Sequence, residues 1–248
     1  MNKKIILTGA SSGVGLSMAA HLVECGFEVI TISRRKNVAK QIINSNKIVS
    51  YRCDLTNLNN VKNLLRKIIK TYGFIPYLIN NAGGNLKENF INSKVKDYEY
   101  IYNLNAFAPA LIMKIVLPMM MDNNFGRIIN VTSGAPLDPN NNSAVYASSK
   151  ASLNAITVAA ANECKNYNIK INLMSPGPVK SEMAPNAPLE PAICHPTMDY
   201  LLKLGKNGPS GKFFWLGYEI PLFPNLKGIY WSEGKTSKSF KQILNNKT

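Results

Sequence analysis

Residues 3–8, Lys-Lys-Ile-Ile-Leu-Thr, form a short apolar run that stops at a turn rich in glycine and serine. The turn reads Thr8-Gly9-Ala10-Ser11-Ser12-Gly13-Val14-Gly15, and a helical stretch follows to about Cys25. A buried strand that breaks into glycines and re-forms as a helix admits few folds. Glycines let the main chain approach a ligand closely, and the helix N-terminus presents unpaired N–H groups at its positive end. The spacing Gly-x3-Gly-x-Gly puts Gly9, Gly13 and Gly15 where a phosphate would be held, with Ser11, Ser12 and Val14 between them.

The same alternation continues along the chain. A second strand, Glu28 to Ser33, ends at Arg34 and Arg35. In a dinucleotide fold a carboxylate at this point would bond ribose hydroxyls and repel a 2′-phosphate. Ser33, Arg34 and Arg35 instead offer a hydroxyl and two guanidiniums, which suit a phosphate monoester; two solvated surface arginines are the alternative. A third strand near Lys47–Cys53 ends in Asp54 and Leu55, placed to bond and pack an adenine, although Asp54 could equally serve the turn before the next helix. That helix, about Asn57 to Tyr72, repeats Leu58, Val61, Leu64, Leu65, Ile68 and Ile69 at core spacing. Tyr77–Asn80 is a fourth strand opening into Asn81, Ala82 and Gly83, small residues beside which a ligand can pass. A long helical segment covers Ser93 to Met121. Arg127–Ser133 and Lys170–Met174 are the fifth and sixth strands, and Ser210–Gly217 holds one more. Strands alternating with helices predict a single-domain α/β fold with a doubly wound parallel sheet.

Composition narrows the class. With 46% apolar and 17% charged residues among 248, the chain is globular, and its apolar runs predict no membrane span. Cys25, Cys53, Cys164 and Cys194 are scattered with no CxxC pair, which suits reduced thiols in the cytoplasm. The N-terminal apolar run is too short for a signal peptide. The net charge of +15 raises the question of nucleic acid, but the lysines are dispersed. Attraction of a phosphorylated cofactor or an anionic substrate is the reading preferred here.

Chemistry concentrates around Tyr146-Ala147-Ser148-Ser149-Lys150. Four positions apart on a helix, Tyr146 and Lys150 share one face. A free phenol has a pKa of about 10, and a nearby cation favours its ionised form. Ser133, at the end of the fifth strand, supplies a second hydroxyl to hold a substrate oxygen. Asn105, taken alone, reads as a buried capping or bridging group.

These motifs coincide in one known pattern. Over about residues 3–217 the chain resembles the short-chain dehydrogenase/reductase family: Thr8–Gly15 looks like its cofactor loop, Asn80-Asn81-Ala82-Gly83 like its structural turn. Asn105, Ser133, Tyr146 and Lys150 match its catalytic tetrad, and Pro176-Gly177-Pro178-Val179-Lys180-Ser181 its nicotinamide-side motif. Ser181 stands where the family usually has threonine and keeps the hydroxyl. The resemblance implies a Rossmann-type sheet of about seven strands with helices on both faces. It implies that Tyr146 exchanges the proton, Lys150 lowers the Tyr146 pKa and bonds the nicotinamide ribose, Ser133 polarises the substrate oxygen, and Asn105 holds a relay water. Pro176, Gly177, Val179 and Ser181 are then cofactor contacts.

The expected activity is reduction of a carbonyl compound to an alcohol, or the reverse, with NADP(H) preferred over NAD(H). The runner-up is a 3-oxoacyl-acyl-carrier-protein reductase acting on an acyl thioester. A non-catalytic NADP-binding protein and a nucleic-acid-binding protein are the remaining classes. Residues 1–217 are assigned to the catalytic domain, with 180–209 as a substrate-loop region in which Cys194 and His195 are loop residues rather than ligands. Residues 218–248 are a basic, aromatic extension whose Tyr230 and Trp231 would pin it to its own core or to a neighbour. Small residues along the Tyr146 helix suggest a subunit contact, so a homodimer or homotetramer is expected.

Overall fold

A computed structural model describes residues 2–35, 37–223, 229–230 and 235–236. Seven parallel strands form the centre: β1 (Lys4–Thr8), β2 (Glu28–Ser33), β3 (Ile48–Arg52), β4 (Tyr77–Asn80), β5 (Gly126–Val131), β6 (Ile169–Ser175) and β7 (Phe213–Trp215). A short antiparallel β8 (Tyr218–Ile220) completes the sheet, in the order β3-β2-β1-β4-β5-β6-β7-β8. The order reverses between β1 and β4, and the crevice beyond their carboxyl ends is where such sheets bind ligands.

The helices are α1 (Gly13–Glu24), α2 (Val38–Ile42), α3 (Leu58–Tyr72), α4 (Val95–Tyr102), α5 (Ala108–Asp122), α6 (Ala144–Glu163) and α7 (His195–Leu202). Strand side chains alternate between two cores, as the two-residue period of a strand requires. Ile6, Ile30, Leu78, Ile128 and Ile171 face α3 and α5. Ile5, Leu7, Val29, Ile79 and Ile129 face α1 and α7. In α3 the spacing anticipated from sequence is realised: Val61, Leu65 and Ile68 are buried, each contributing roughly 1.5–3 kcal/mol. The Asn57 side chain caps this helix by accepting from the Asn60 N–H at 3.0 Å.

α4 and α5 are joined by a π turn, Asn103–Phe107. The rod Val95–Asp122 is long and apolar enough by composition to cross a bilayer. Its residues Ile112, Met113, Val116 and Met120 lie buried in the core shared with α3.

Three expectations need correction. The substrate-loop region assigned to 180–209 is not loop throughout, because a 3-10 turn forms at Pro191–Cys194 and α7 begins at His195. Pro191 and Pro196 stand at the first turns of these elements, where no N–H is needed. Cys194 and His195 are therefore helical; Cys194 is buried, and His195 Nε2 lies 2.9 Å from Ser17 Oγ. The last strand also stops at Trp215, where Leu216 and Gly217 take positive φ (47° and 84°) and turn the chain into β8. The sheet thus continues past residue 217. Of the extension, Ile229–Tyr230 and Lys235–Thr236 pair antiparallel; Trp231 and the side chain of Tyr230 lie outside the described residues.

Candidate active site

The turn after β1 is built around close main-chain approaches. A Cβ on Gly15 would stand 2.1 Å from the Gly9 carbonyl oxygen, and one on Gly9 2.7 Å from Ala82 Cα. Gly9 and Gly13 also hold φ of +73° and +51°, the left-handed region. Thr8 Oγ1 accepts from the N–H groups of Asn81 and Ala82 at 3.0 Å each, and Asn81 Nδ2 donates to the carbonyls of Thr8 and Gly9. The ends of β1 and β4 are thereby locked side by side. Ser12, the N-cap of α1, makes no side-chain cap bond, so the first amides of that helix are left for a ligand. They open on a cavity of about 490 Å³.

That cavity brings most of the expected residues together. The loop Gly9, Ser11–Gly15, then Ser33, Arg34 and Arg35, Leu55, Asn81–Gly83, Tyr146, Lys150, Pro176 and Ser181 all border it. A phosphate-bearing dinucleotide fits this set, because uncapped amides, glycines that no Cβ could replace and two arginines share one cleft. Asp54, Gly177 and Val179, expected as cofactor contacts, do not line it. Asp54 Oδ1 accepts from the Thr56 N–H and hydroxyl at 3.0 and 2.9 Å, so its carboxylate serves the turn before α3. Val179 is buried in a bridge to Leu189, and Gly177, at φ +85°, approaches Trp215.

Around the reactive end, Lys150 is buried and its Nζ donates to the Val131 carbonyl at 2.8 Å. Burial lowers its pKa from 10.5 to about 8. A Cβ on Gly83 would meet this Nζ at 3.3 Å and Asn105 Oδ1 at 3.2 Å, so the two polar groups flank one glycine. Tyr146 departs from the sequence expectation. Its pKa is raised, chiefly by burial, with the Ser133 hydroxyl pulling the other way. Lys150 does not offset this: its ammonium turns to the Val131 carbonyl and is itself weakened as a cation by burial. Tyr146 therefore stands as a neutral phenol beside Ser133.

Asn105 lies behind the cavity wall. Its Oδ1 accepts from the Gly84 N–H at 2.9 Å, and its Nδ2 donates to the Gly84 carbonyl at 2.9 Å and to Ser149 Oγ at 3.0 Å. Ser149 Oγ in turn donates to the Tyr146 carbonyl at 2.7 Å. The π turn rotates Asn105 onto Gly84, and such turns recur at functional sites.

Sequence reasoning missed the partners of the arginines. Arg35 donates from both terminal nitrogens to Glu182, at 2.6 and 2.7 Å, and Arg34 Nη1 donates to Tyr100 Oη at 3.1 Å. Glu182 is held ionised below its ordinary pKa by this contact. It follows directly on Ser181, yet a single exposed glutamate gives no sequence signal of where it folds back.

Comparison with known proteins agrees with this geometry. The family model described as short chain dehydrogenase matches residues 3–191. An uncharacterized oxidoreductase of Staphylococcus epidermidis is 29% identical over 185 residues, covering 73% of this chain and 80% of that protein. A 3-oxoacyl-acyl-carrier-protein reductase of Rickettsia bellii is 32% identical over 178 residues, covering 72% and 73%. The solved structure of ElxO with NADP bound superposes with a TM-score of 0.80 at 26% identity, covering 88% of this chain and 98% of that one. A chain whose cofactor loop, buried lysine and serine-paired tyrosine occupy one cleft, and which matches this family over most of its length, belongs to the short-chain dehydrogenase/reductase oxidoreductases.

Proposed function

We propose that the protein is an NADP(H)-dependent reductase that converts a ketone or related carbonyl to an alcohol, with Tyr146 as the proton donor. The observation that supports this most is the shared cleft: the uncapped helix N-terminus, Arg34 and Arg35, and the pair Tyr146 and Lys150 all border it. The bound nicotinamide supplies the hydride. Ser133 holds the substrate oxygen against the phenol, Tyr146 delivers its proton to that oxygen, and Lys150 favours the phenolate left behind. A phenol kept neutral by burial is in the form that donates a proton. Asn105 fixes the main chain at Gly84 and leaves its neighbourhood to Lys150, where a relay water would sit. Arg34 and Arg35 take the 2′-phosphate; ElxO with NADP bound is a precedent among similar chains, whereas 4-hydroxyisoleucine dehydrogenase, 22% identical with a TM-score of 0.82, is complexed with NADH. In this reading Asp54, Gly177 and Val179 support the fold rather than touch the cofactor.

A second reading, a 3-oxoacyl-acyl-carrier-protein reductase, is favoured by the relatives of that name in Rickettsia bellii and in Synechocystis, the latter 28% identical over 194 residues. The net charge of +15 suits an acidic carrier. A panel of carbonyls and alcohols with both cofactors, followed by the absorbance of reduced nicotinamide, tests the proposal. Faster turnover of acetoacetyl thioesters than of free ketones selects the second reading. Binding of NADP without turnover of any substrate would replace both with a non-catalytic role, and a salt-dependent nucleic-acid affinity indifferent to NADP would point elsewhere. The protein would act in the cytoplasm, where its four free thiols stay reduced. It would do so as a homo-oligomer built on the exposed Ala151, Ala155 and Ala159 of α6.

A further inference from the structure

Behind the cofactor loop, on the face opposite the catalytic pair, three side chains of different chemistry converge. His21 and Cys25 stand four residues apart at the end of α1 and so share one helix face. Asp199 reaches them from α7. His21 Nε2 is 3.0 Å from Asp199 Oδ1 and 3.5 Å from Cys25 Sγ, and the three donor atoms all lie within 4.8 Å of one another. None of the three residues is buried, so ions from solvent have access.

Hydrogen bonding holds the sulfur of this group only at long range. An imidazole nitrogen has a single in-plane valence: it carries either one hydrogen or one lone pair. A protonated His21 Nε2 donates to Asp199 Oδ1 and reaches the Cys25 sulfur only at a long 3.5 Å, while the other tautomer loses the bond to Asp199. A cation between the three atoms would satisfy all of them. Tetrahedral ligands about 2.0–2.3 Å from zinc stand roughly 3.3–3.8 Å apart; the two distances from His21 Nε2, 3.0 and 3.5 Å, lie within a few tenths of an ångström of that range, and Asp199 and Cys25 close on each other from within 4.8 Å. The surroundings fit as well. Lys203 Nζ, 3.7 Å away, engages the other oxygen of Asp199, leaving Oδ1 free to ligate. The ring of His195 stacks on His21 at 4.3 Å between centroids and fixes its plane. A thiolate and a carboxylate balance a divalent charge.

We propose that His21 Nε2, Cys25 Sγ and Asp199 Oδ1 bind a borderline-soft divalent cation of the zinc and cobalt class, with a fourth position open to water. The mixed nitrogen, sulfur and oxygen set selects such an ion over magnesium or calcium. Bound there, it staples the end of α1, whose other end frames the cofactor loop, to α7, which follows the substrate-side segment. Metal occupancy would then stiffen the cleft from behind without touching the reacting atoms.

The test is a cobalt(II) titration of tag-free protein stripped with a chelator, read by absorbance and by thermal unfolding. The wild type should bind one ion per chain with a thiolate-to-cobalt charge-transfer band, and its Tm should rise with the metal. Cys25→Ser should lose the band and the Tm shift while keeping its circular dichroism spectrum, and Asp199→Asn should weaken binding at least tenfold. Zinc should displace the cobalt and bleach the band. A wild type without the band, or a band that survives in Cys25→Ser, would overturn the site.

Discussion

Lys150 places an ammonium where solvent does not reach, with one carbonyl for company. Its pKa of about 8 in the fold lies below the ordinary 10.5, so the folded protein binds fewer protons than the unfolded chain between these values. Folding is therefore penalised by the buried charge, fully below pH 8, and the penalty disappears as pH rises toward 10.5. At neutral pH it amounts to about 3 kcal/mol before the bond to Val131 is offset against it. Lys150→Met in nucleotide-free protein is predicted to raise Tm by a few degrees at pH 7 and to lose that advantage near pH 10.5, while abolishing turnover. Thermal melts across pH test this; a Lys150→Met variant that is less stable than wild type at pH 7 would contradict it. Glu182 belongs to the same scale. Its carboxylate occupies both terminal nitrogens of Arg35, so a 2′-phosphate has to displace or share it. Glu182→Ala should lower the KM for NADPH several-fold and leave that for NADH nearly unchanged, and steady-state kinetics with the two cofactors decides.

At the scale of elements, the loop between β1 and α1 tolerates no added carbon at Gly15, where a Cβ would sit 2.1 Å from a carbonyl oxygen. Gly15→Ala should cut nucleotide affinity at least tenfold or prevent folding, whereas Gly134→Ala, which meets nothing within 4 Å, should do neither; calorimetric titration with NADPH separates them. This loop was legible in sequence because glycines between a strand and a helix have few other uses, and Ser133, Tyr146 and Lys150 were legible because chain order and spacing agree. Other features were not. α2 has five residues and starts from Asn37 in the left-handed region, too short to leave a periodic signal. The turn at Pro191 and α7 hide behind prolines that also mark loops. The π turn at Asn105 has no spacing signature, since one extra residue per turn shifts the apolar pattern only locally. Asp54 offered two readings that sequence could not separate, and the hydrogen bonds to Thr56 fall to the turn. The raised pKa of Tyr146 was invisible because burial is a property of the assembled cleft and not of its spacing from Lys150.

Across the whole molecule the sheet is held by more than apolar layers. Arg127 is buried at the start of β5 and donates to the carbonyls of Leu204, Gly126 and Asn168 and to Asn168 Oδ1, with its guanidinium 4.4 Å from the Phe125 ring. One side chain thus ties the segment after α7 and the start of β6 to the middle of the sheet. Arg127→Met would strand these acceptors and should cost on the order of 3 kcal/mol, seen as a lowered denaturant midpoint. The switch between β1 and β4 sets the cleft, and two arginines line its β2 side; in the proposed reading they set the cofactor preference. NADPH should outperform NADH, and Arg34→Ala should narrow the gap; an equal or reversed preference would defeat the NADP assignment.

Tyr146, the proposed proton donor, is the point at which the sequence, the cleft and the chemistry meet, and a single comparison reaches it. Carbonyl-dependent oxidation of NADPH, measured side by side for wild type and Tyr146→Phe, is predicted to fall by at least about 10²–10⁴-fold in the variant while NADPH binding is retained. Undiminished turnover in Tyr146→Phe would contradict the account.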